Sequence, residues 1–331
     1  MRGLKCSTPL LLILLLNLWL LGSPPSWGFI PGSKFIAGQW VSHAGSGVYV
    51  VEQDVVFSSG SDSLTLREIW QVNGEGQMRV TVQAPKEWPN HSVGGGSQFT
   101  AGGGGEAATG VIQFQSVYND GHKFFVNERG RQSKALTDDF VEKYFYVRNR
   151  DSFINHLLRM KVLLPLPPPP PAPKVAKAKL KRDKKGDKNR EPDSEKKEFN
   201  YPPEVNVRLS RVGGSIAYAL GVPSPVEGEP LPGFWIEQDL FFLRKFRLPS
   251  KVEVQADNYT AYAHGLSLPH QRTVRWNQRS VQINIVKVNG LGRGTKGSEF
   301  SPSTLSQPIK FQGLRDPEIA QSVEEFYQRF R

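Results

Sequence analysis

A chain of 331 residues with 42 Lys and Arg against 31 Asp and Glu carries a net charge of +11 and contains one cysteine. The length allows one large β domain or two small ones, and the lone cysteine, Cys6, excludes a disulfide framework and a thiolate metal site. The positive charge is not a nucleic-acid footprint: roughly eleven basic and six acidic residues fall between Lys174 and Glu198, with no interleaved aromatics.

The first 28 residues read as a secretory signal. Arg2 and Lys5 precede an apolar run at 10–21, short of the roughly 20 residues that span a bilayer. Ser26-Trp27-Gly28 puts small residues at the cleavage positions, so cleavage is placed after Gly28. Export with no cysteine left in the mature chain fits a bacterial periplasmic protein. A short apolar element follows, with Ser33 as a helix cap.

Strand signals begin at 48–57 and continue at 64–72 and 78–83. Leu64, Leu66 and Trp70 alternate with Thr65, Arg67 and Gln71; Met78, Val80 and Val82 alternate with Arg79, Thr81 and Gln83. Such alternation marks an antiparallel sheet with one buried face, and Asn73-Gly74 is a hairpin dipeptide. The Gly-rich stretch 94–105 lacks the Lys-Ser/Thr ending of a phosphate loop and reads as a connector. Strands at 111–118 and 122–128 flank Asn119-Asp120-Gly121, a hairpin signal.

Helix is expected next, with Thr137 as cap and Asp138 and Asp139 in the first turn, where the dipole favours anions. Phe140, Val141, Tyr144 and Phe145 form its apolar stripe, and a second set from Asp151 carries Phe153, Ile154, Leu157, Leu158 and Met160. The stripe either packs on the sheet or forms a movable lid over an apolar cavity. Residues 165–200 are a Pro/Lys-rich linker insert, because proline runs extend and mixed charge buries no core. Strands resume at 205–212, 215–220, 234–243, 251–257, 273–277 and 281–288. A closing helix starts at Asp316-Pro317-Glu318 and carries Ile319, Ala320, Val323, Phe326, Tyr327 and Phe330 on one face. The domain reading is therefore a signal (1–28), a first β half with a helical segment (29–164), the insert (165–200), and a second β half with a terminal helix (201–331).

Chemistry is sparse. None of His43, His91, His122, His156, His264 and His270 pairs with another at metal-ligand spacing. No nucleophile elbow occurs. Residues 290–297 follow a strand but lack the order of a phosphate loop. Glu52/Asp54 and Glu237/Asp239 stand in the repeated V-E-Q-D-V and I-E-Q-D-L, where i, i+2 spacing puts each pair on one strand face. Such pairs serve acid–base work or a metal, or simply face solvent. The expectation is no catalytic residue, no metal and no cofactor.

YVVEQDVVF, LREIWQVNGEGQMRVTV and VYNDGHKFFVNERG, with FWIEQDLFFLRKFRL and VRWNQRSVQINIVKVN in the second half, resemble the periplasmic lipoprotein-carrier superfamily (LolA/LolB-like) over most of the chain outside the insert. The resemblance implies a mainly β fold, an open antiparallel half-barrel of about eleven strands with lid-like helices. It implies a cavity for acyl chains of lipoprotein or lipid, with membrane-anchored donor or acceptor proteins as further partners. On that reading Leu66, Trp70, Met78, Val80, Val82, Phe124 and Val126 form the cavity wall, and Phe140, Tyr144, Phe145, Phe153 and Leu157 the lid. The Arg-Pro pair that follows the second strand in the carriers has no counterpart; Asn73-Gly74-Glu75-Gly76 occupies that region. The implied function is periplasmic, non-enzymatic acyl-chain binding, as in lipoprotein sorting. The alternative is an envelope structural or sensory protein that binds a protein or peptide on the same fold.

Overall fold

The structure, a computed structural model, describes residues 30–60, 62–74, 76–83, 97–100, 109–165, 206–221, 230–292, 297–312, 314 and 316–331. The expected signal (1–28) and residues 166–200 of the expected insert lie outside them. The elements all fall in one compact unit, Gly32–Arg331.

Thirteen strands form a single antiparallel sheet. In spatial order they are β8 (Gly130–Ala135), β7 (His122–Asn127), β6 (Gln115–Asn119), β3 (Gln77–Gln83), β2 (Asp62–Val72), β1 (Val48–Ser59), β15 (Arg279–Gly292), β14 (Ser267–Trp276), β13 (Glu253–Ala261), β12 (Leu243–Arg247), β11 (Gly233–Glu237), β10 (Ser215–Leu220) and β9 (Val207–Val212). β8 and β9 are its two edges, so the sheet is open. β4 (Ser97–Thr100), β5 (Thr109–Gln113) and β16 (Lys310–Gln312) make a small second sheet. Three α-helices, α1 (Ser33–Val41), α2 (Arg150–Arg159) and α3 (Pro317–Arg329), complete the described elements with a few 3₁₀ turns, one of them at Val141–Phe145. The expected class, a mainly β open antiparallel half-barrel, is the fold observed.

The two halves of the chain share one sheet because β1 pairs with β2 on one side and with β15 on the other. The ends flanking residues 166–205 are tied together: the Asn206 side chain accepts from the Leu164 N–H (3.0 Å) and donates to the Leu164 carbonyl (2.8 Å). Asp120 (φ 46°) and Gly121 (φ 75°) occupy both left-handed positions of the β6–β7 turn, as an Asp-Gly hairpin requires.

Strand number exceeds the expectation for identifiable reasons. The run read as one strand at 111–118 changes sheets at Phe114: β5 pairs with β4 and β16, and β6 pairs with β3. The stretch 234–243 is two strands, β11 and β12, with a turn in which Phe241 takes φ 55°. β8, GRQSKA, is a largely exposed polar edge strand, so it shows no apolar alternation to detect. β4 lies inside the stretch read as a Gly-rich connector.

The helix expected from Thr137 is a correction. The chain makes a turn at 138–139 and a short 3₁₀ turn, and the α-helix starts only at Arg150. Its cap is Asn149, whose side chain accepts from the Ser152 N–H at 2.9 Å. Gly32 rather than Ser33 occupies the cap of α1. The closing helix α3 starts as read: the Asp316 carboxylate accepts from the Glu318 and Ile319 N–H groups, with Pro317 at the first helical position.

Candidate functional site

Antiparallel register identifies the concave face. Trp70 lies opposite Val80, and Val80 opposite Ser116; Met78 lies opposite Tyr118, and Tyr118 opposite Lys123. Partners opposite one another share a face. Leu66, Trp70, Met78, Val80 and Val82 therefore point inward together, as expected. On β7 the inward residues are Lys123, Phe125 and Asn127. Phe124 and Val126, expected on the same wall, stand on the other face. The period of two makes a one-residue displacement decisive, and β7 is partly buried on both faces, so its sequence does not reveal which one turns inward.

The inward wall is covered. Phe140 stacks on Tyr118 (ring centroids 4.3 Å), and Tyr118 stacks on Trp70 (5.7 Å). Tyr144 packs on Phe246 (4.8 Å) and Phe234 (5.3 Å). Phe145 meets Phe246 (6.1 Å), and Phe153 fits between Trp40 (4.2 Å) and Phe234 (5.6 Å). Leu157 is fully buried in the same cluster. The structure thus brings the five inward wall residues and the five lid residues into one packed core, with α1 beneath α2.

At the centre of that core lies a polar cluster that sequence reading missed. Glu68 accepts from the Gln53 amide (2.7 Å), the Trp70 indole (2.8 Å) and Arg331 Nε (3.0 Å). Arg331 also faces Glu142 at 3.4 Å, Arg272 pairs with Glu142 at 2.7 Å, and Arg272 donates to the Gln53 side-chain oxygen. All five side chains are nearly or fully buried. Burial alone would push the Glu68 carboxyl up, but Arg331, Trp70 and Gln53 outweigh it and hold its pKa below the usual value. Glu68 and Glu142 push the Arg331 guanidinium further up against its burial, so the pair stays ionised. The available signal was parity: Gln53 and Glu68 occupy apolar-phase positions of β1 and β2, opposite each other.

A second polar chain fastens α2. Arg159 donates to His156 Nδ1 (3.1 Å), leaving Nε2 as the protonated nitrogen of the neutral ring, which donates to the Tyr144 hydroxyl (3.1 Å). Tyr144 donates in turn to the Asp138 carbonyl (3.0 Å). Burial, then Lys143 and Arg159, bring the His156 pKa down to about 4 against the opposing pull of Asp138.

Open space lies to one side of this core. An aromatic hollow of about 450 Å³ opens beside α3, walled by Phe114, Phe125, Ile309, Phe311 and Tyr327, with Lys123 and Lys134 at its border. Phe114 and Phe311 both pack on Tyr327, with centroids 4.7 and 5.3 Å away. Phe114 reaches this place because the chain changes sheets there. A polar hollow of about 390 Å³ adjoins it and shares Lys123, Lys134 and Gln328.

The carboxylate pairs are placed differently from one another. Asp54 forms a two-point pair with Arg67 (2.5 and 3.0 Å) on the convex face. Glu237 ends β11 and pairs with Arg244 at 2.7 Å, while Asp239 sits in the following turn, so these two do not project from one strand face. Among the described residues no group of three or more His, Cys, Asp or Glu is arranged to hold a metal. Residues 290–292 of the glycine-rich segment belong to β15, and 293–296 lie outside the described residues. No helix among the described residues is long and apolar enough to cross a membrane.

Fold and site together define an open antiparallel half-barrel whose concavity is mostly filled by its own helices and turns. No protein-family model matches the sequence, and no curated protein does. Among solved structures the chain is similar to a LolA superfamily protein of Nitrosomonas europaea, with 9% identity and a TM-score of 0.45 over 83% of this chain and 100% of that one. It is also similar to a DUF1329 family protein of Desulfovibrio piger, with 10% identity and a TM-score of 0.41 over 83% and 98% of the two chains.

Proposed function

We propose that the protein is a periplasmic, non-enzymatic binder of lipid or lipoprotein acyl chains, and that a chain lies in the aromatic hollow beside α3. The observation that carries this reading is the hollow itself: about 450 Å³ bordered by four aromatic rings, within the several hundred Å³ of a small-molecule site. Each buried methylene contributes about 0.8 kcal/mol, so ten offer roughly 8 kcal/mol before the several kcal/mol that association costs. No covalent step is needed. The inward wall of Leu66, Trp70, Met78, Val80 and Val82 joins the site only when Phe140 and the α2 segment lift from it. A carrier in lipoprotein sorting, exchanging cargo with membrane-anchored donor and acceptor proteins, is the specific form of this proposal.

Native mass spectrometry of the protein, purified from a bacterial periplasm without detergent, tests it. A phospholipid or acylated peptide is expected at near-stoichiometric amount, and Phe311→Asp is expected to remove it. A bare protein mass, unchanged after either lipid is added, sinks the reading. The second reading, an envelope protein that binds a protein partner, is favoured by the filled concavity and by Phe35 and Leu240, which are 53% and 54% exposed.

A further inference from the structure

The two adjoining hollows differ in lining and share one border, which invites an account of their charges. In the polar hollow Arg329 pairs with Asp139 at 2.6 Å, and Arg331 is held by Glu68 and Glu142. Glu325, on the same lining, is paired with Arg279 and accepts from the Trp276 indole at 3.0 Å. Every carboxylate of that lining is therefore matched by an arginine. Two cations remain, Lys123 and Lys134, which lie opposite each other across the β7–β8 ladder. Among the described residues no side-chain carboxylate lies within ion-pair distance of either.

Lys123 is nearly buried and donates to the main-chain carbonyls of Tyr327 (3.0 Å) and Arg331. An ammonium has three N–H donors, so one is left. Its nitrogen sits 5.0 Å from the Phe114 ring centre and 5.6 Å from that of Phe125, at the border of the aromatic hollow. Burial, then Lys134 and Arg331, bring its pKa down to about 7; a bound anion would reverse that repulsion. Glu324 lines only the aromatic hollow, where Gln328 donates to it at 2.8 Å, so an anion is steered to the polar side.

We infer that the two hollows together take an amphiphile with a single anionic head, a carboxylate or a phosphomonoester, its chain among Phe114, Phe125 and Phe311 and its head against Lys123 and Lys134. This rests on the acyl-chain reading and adds a head-group requirement to it. A neutral acyl ligand fills the same aromatic hollow but leaves the two cations facing each other.

Titration calorimetry of the full chain with decanoate, decyl phosphate, 1-decanol and inorganic phosphate separates the two claims. Both decyl anions are expected to bind at least about tenfold more tightly than decanol. Lys134→Glu, on an exposed side chain, is expected to lower anion affinity about tenfold or more while leaving decanol unchanged, and Lys134→Arg to retain it. A preference between decanoate and decyl phosphate identifies which head the site takes. Decanol binding as tightly as the anions, with Lys134→Glu indifferent, overturns the head-group inference and leaves acyl binding standing. Inorganic phosphate binding as tightly as decyl phosphate overturns the role of the chain, and no binding of any decyl compound overturns both claims.

Discussion

The concave face carries two regions built from the same kinds of side chain and finished in opposite ways. Around Trp70 the aromatic wall is closed by Phe140, Tyr118 and an ionised cluster in which Glu68, Glu142, Arg272 and Arg331 satisfy one another. Around Phe114 and Phe311 the aromatic wall stays open, and the cations at its border, Lys123 and Lys134, have no matching side-chain carboxylate among the described residues. Closure needs a covering element that brings both apolar surface and opposite charge. The segment at 140–145 brings both, Phe140 and Glu142; the turn and strands near β7 and β8 bring lysines instead. One region is accordingly a source of stability, and the other is available to a ligand.

That contrast is tested most severely by removing Glu142. Glu142→Ala strands Arg272 in the core and is expected to lower stability by about 3–5 kcal/mol, read as a fall in the urea midpoint. The double variant Glu142→Leu/Arg272→Met should recover much of the loss. Trp70→Ala should cost about 3–5 kcal/mol through the cavity it leaves, whereas Phe311→Ser, at a half-buried position, should cost about 1 kcal/mol and yet abolish decanoate binding. If Trp70→Ala instead spares the fold and removes the ligand, the assignment of the two regions is inverted.

A smaller effect comes with acid. The His156 pKa is about 4 in the folded chain against an ordinary value of 6.5, so between those values the unfolded chain binds the extra proton. Stability gained from a neutral His156 is complete above about pH 6.5 and declines as the pH falls toward 4. His43, also shifted down by burial, acts in the same direction. His156→Gln should therefore flatten the fall in urea midpoint between pH 6.5 and 4.5; an unchanged slope would remove His156 from the fastening of α2. The smallest expected change is Asp316→Ala, which uncaps α3 at a cost of about 1 kcal/mol and, by loosening the wall that carries Tyr327, weakens decanoate binding more than the urea midpoint suggests.

The repeated E-Q-D shows why part of the site was hidden in the sequence. In β1 it lies mid-strand, with Gln53 turned into the core against Glu68 and Glu52 and Asp54 turned outward. In the second copy Glu237 ends β11, and Gln238 and Asp239 make the turn. Equal tripeptides take different roles because strand length is set by cross-strand partners. The same limit explains Phe124 and Val126: alternation says that two faces exist, and only pairing to β6 says which one turns inward.

Alternation and turn chemistry in the sequence alone were enough for the mainly β class, for the Asp120-Gly121 hairpin and for the capped start of α3, since each depends on neighbours a few residues apart. The inward set Leu66, Trp70, Met78, Val80 and Val82 was legible for the same reason. The tertiary structure alone decided that Glu68 meets Arg331 across 263 positions of sequence, that Lys123 and Lys134 border an open hollow, and that Phe114 leaves one sheet for another. Those outcomes depend on which surfaces the helices and turns cover, and covering is a property of the packed chain, not of any local stretch.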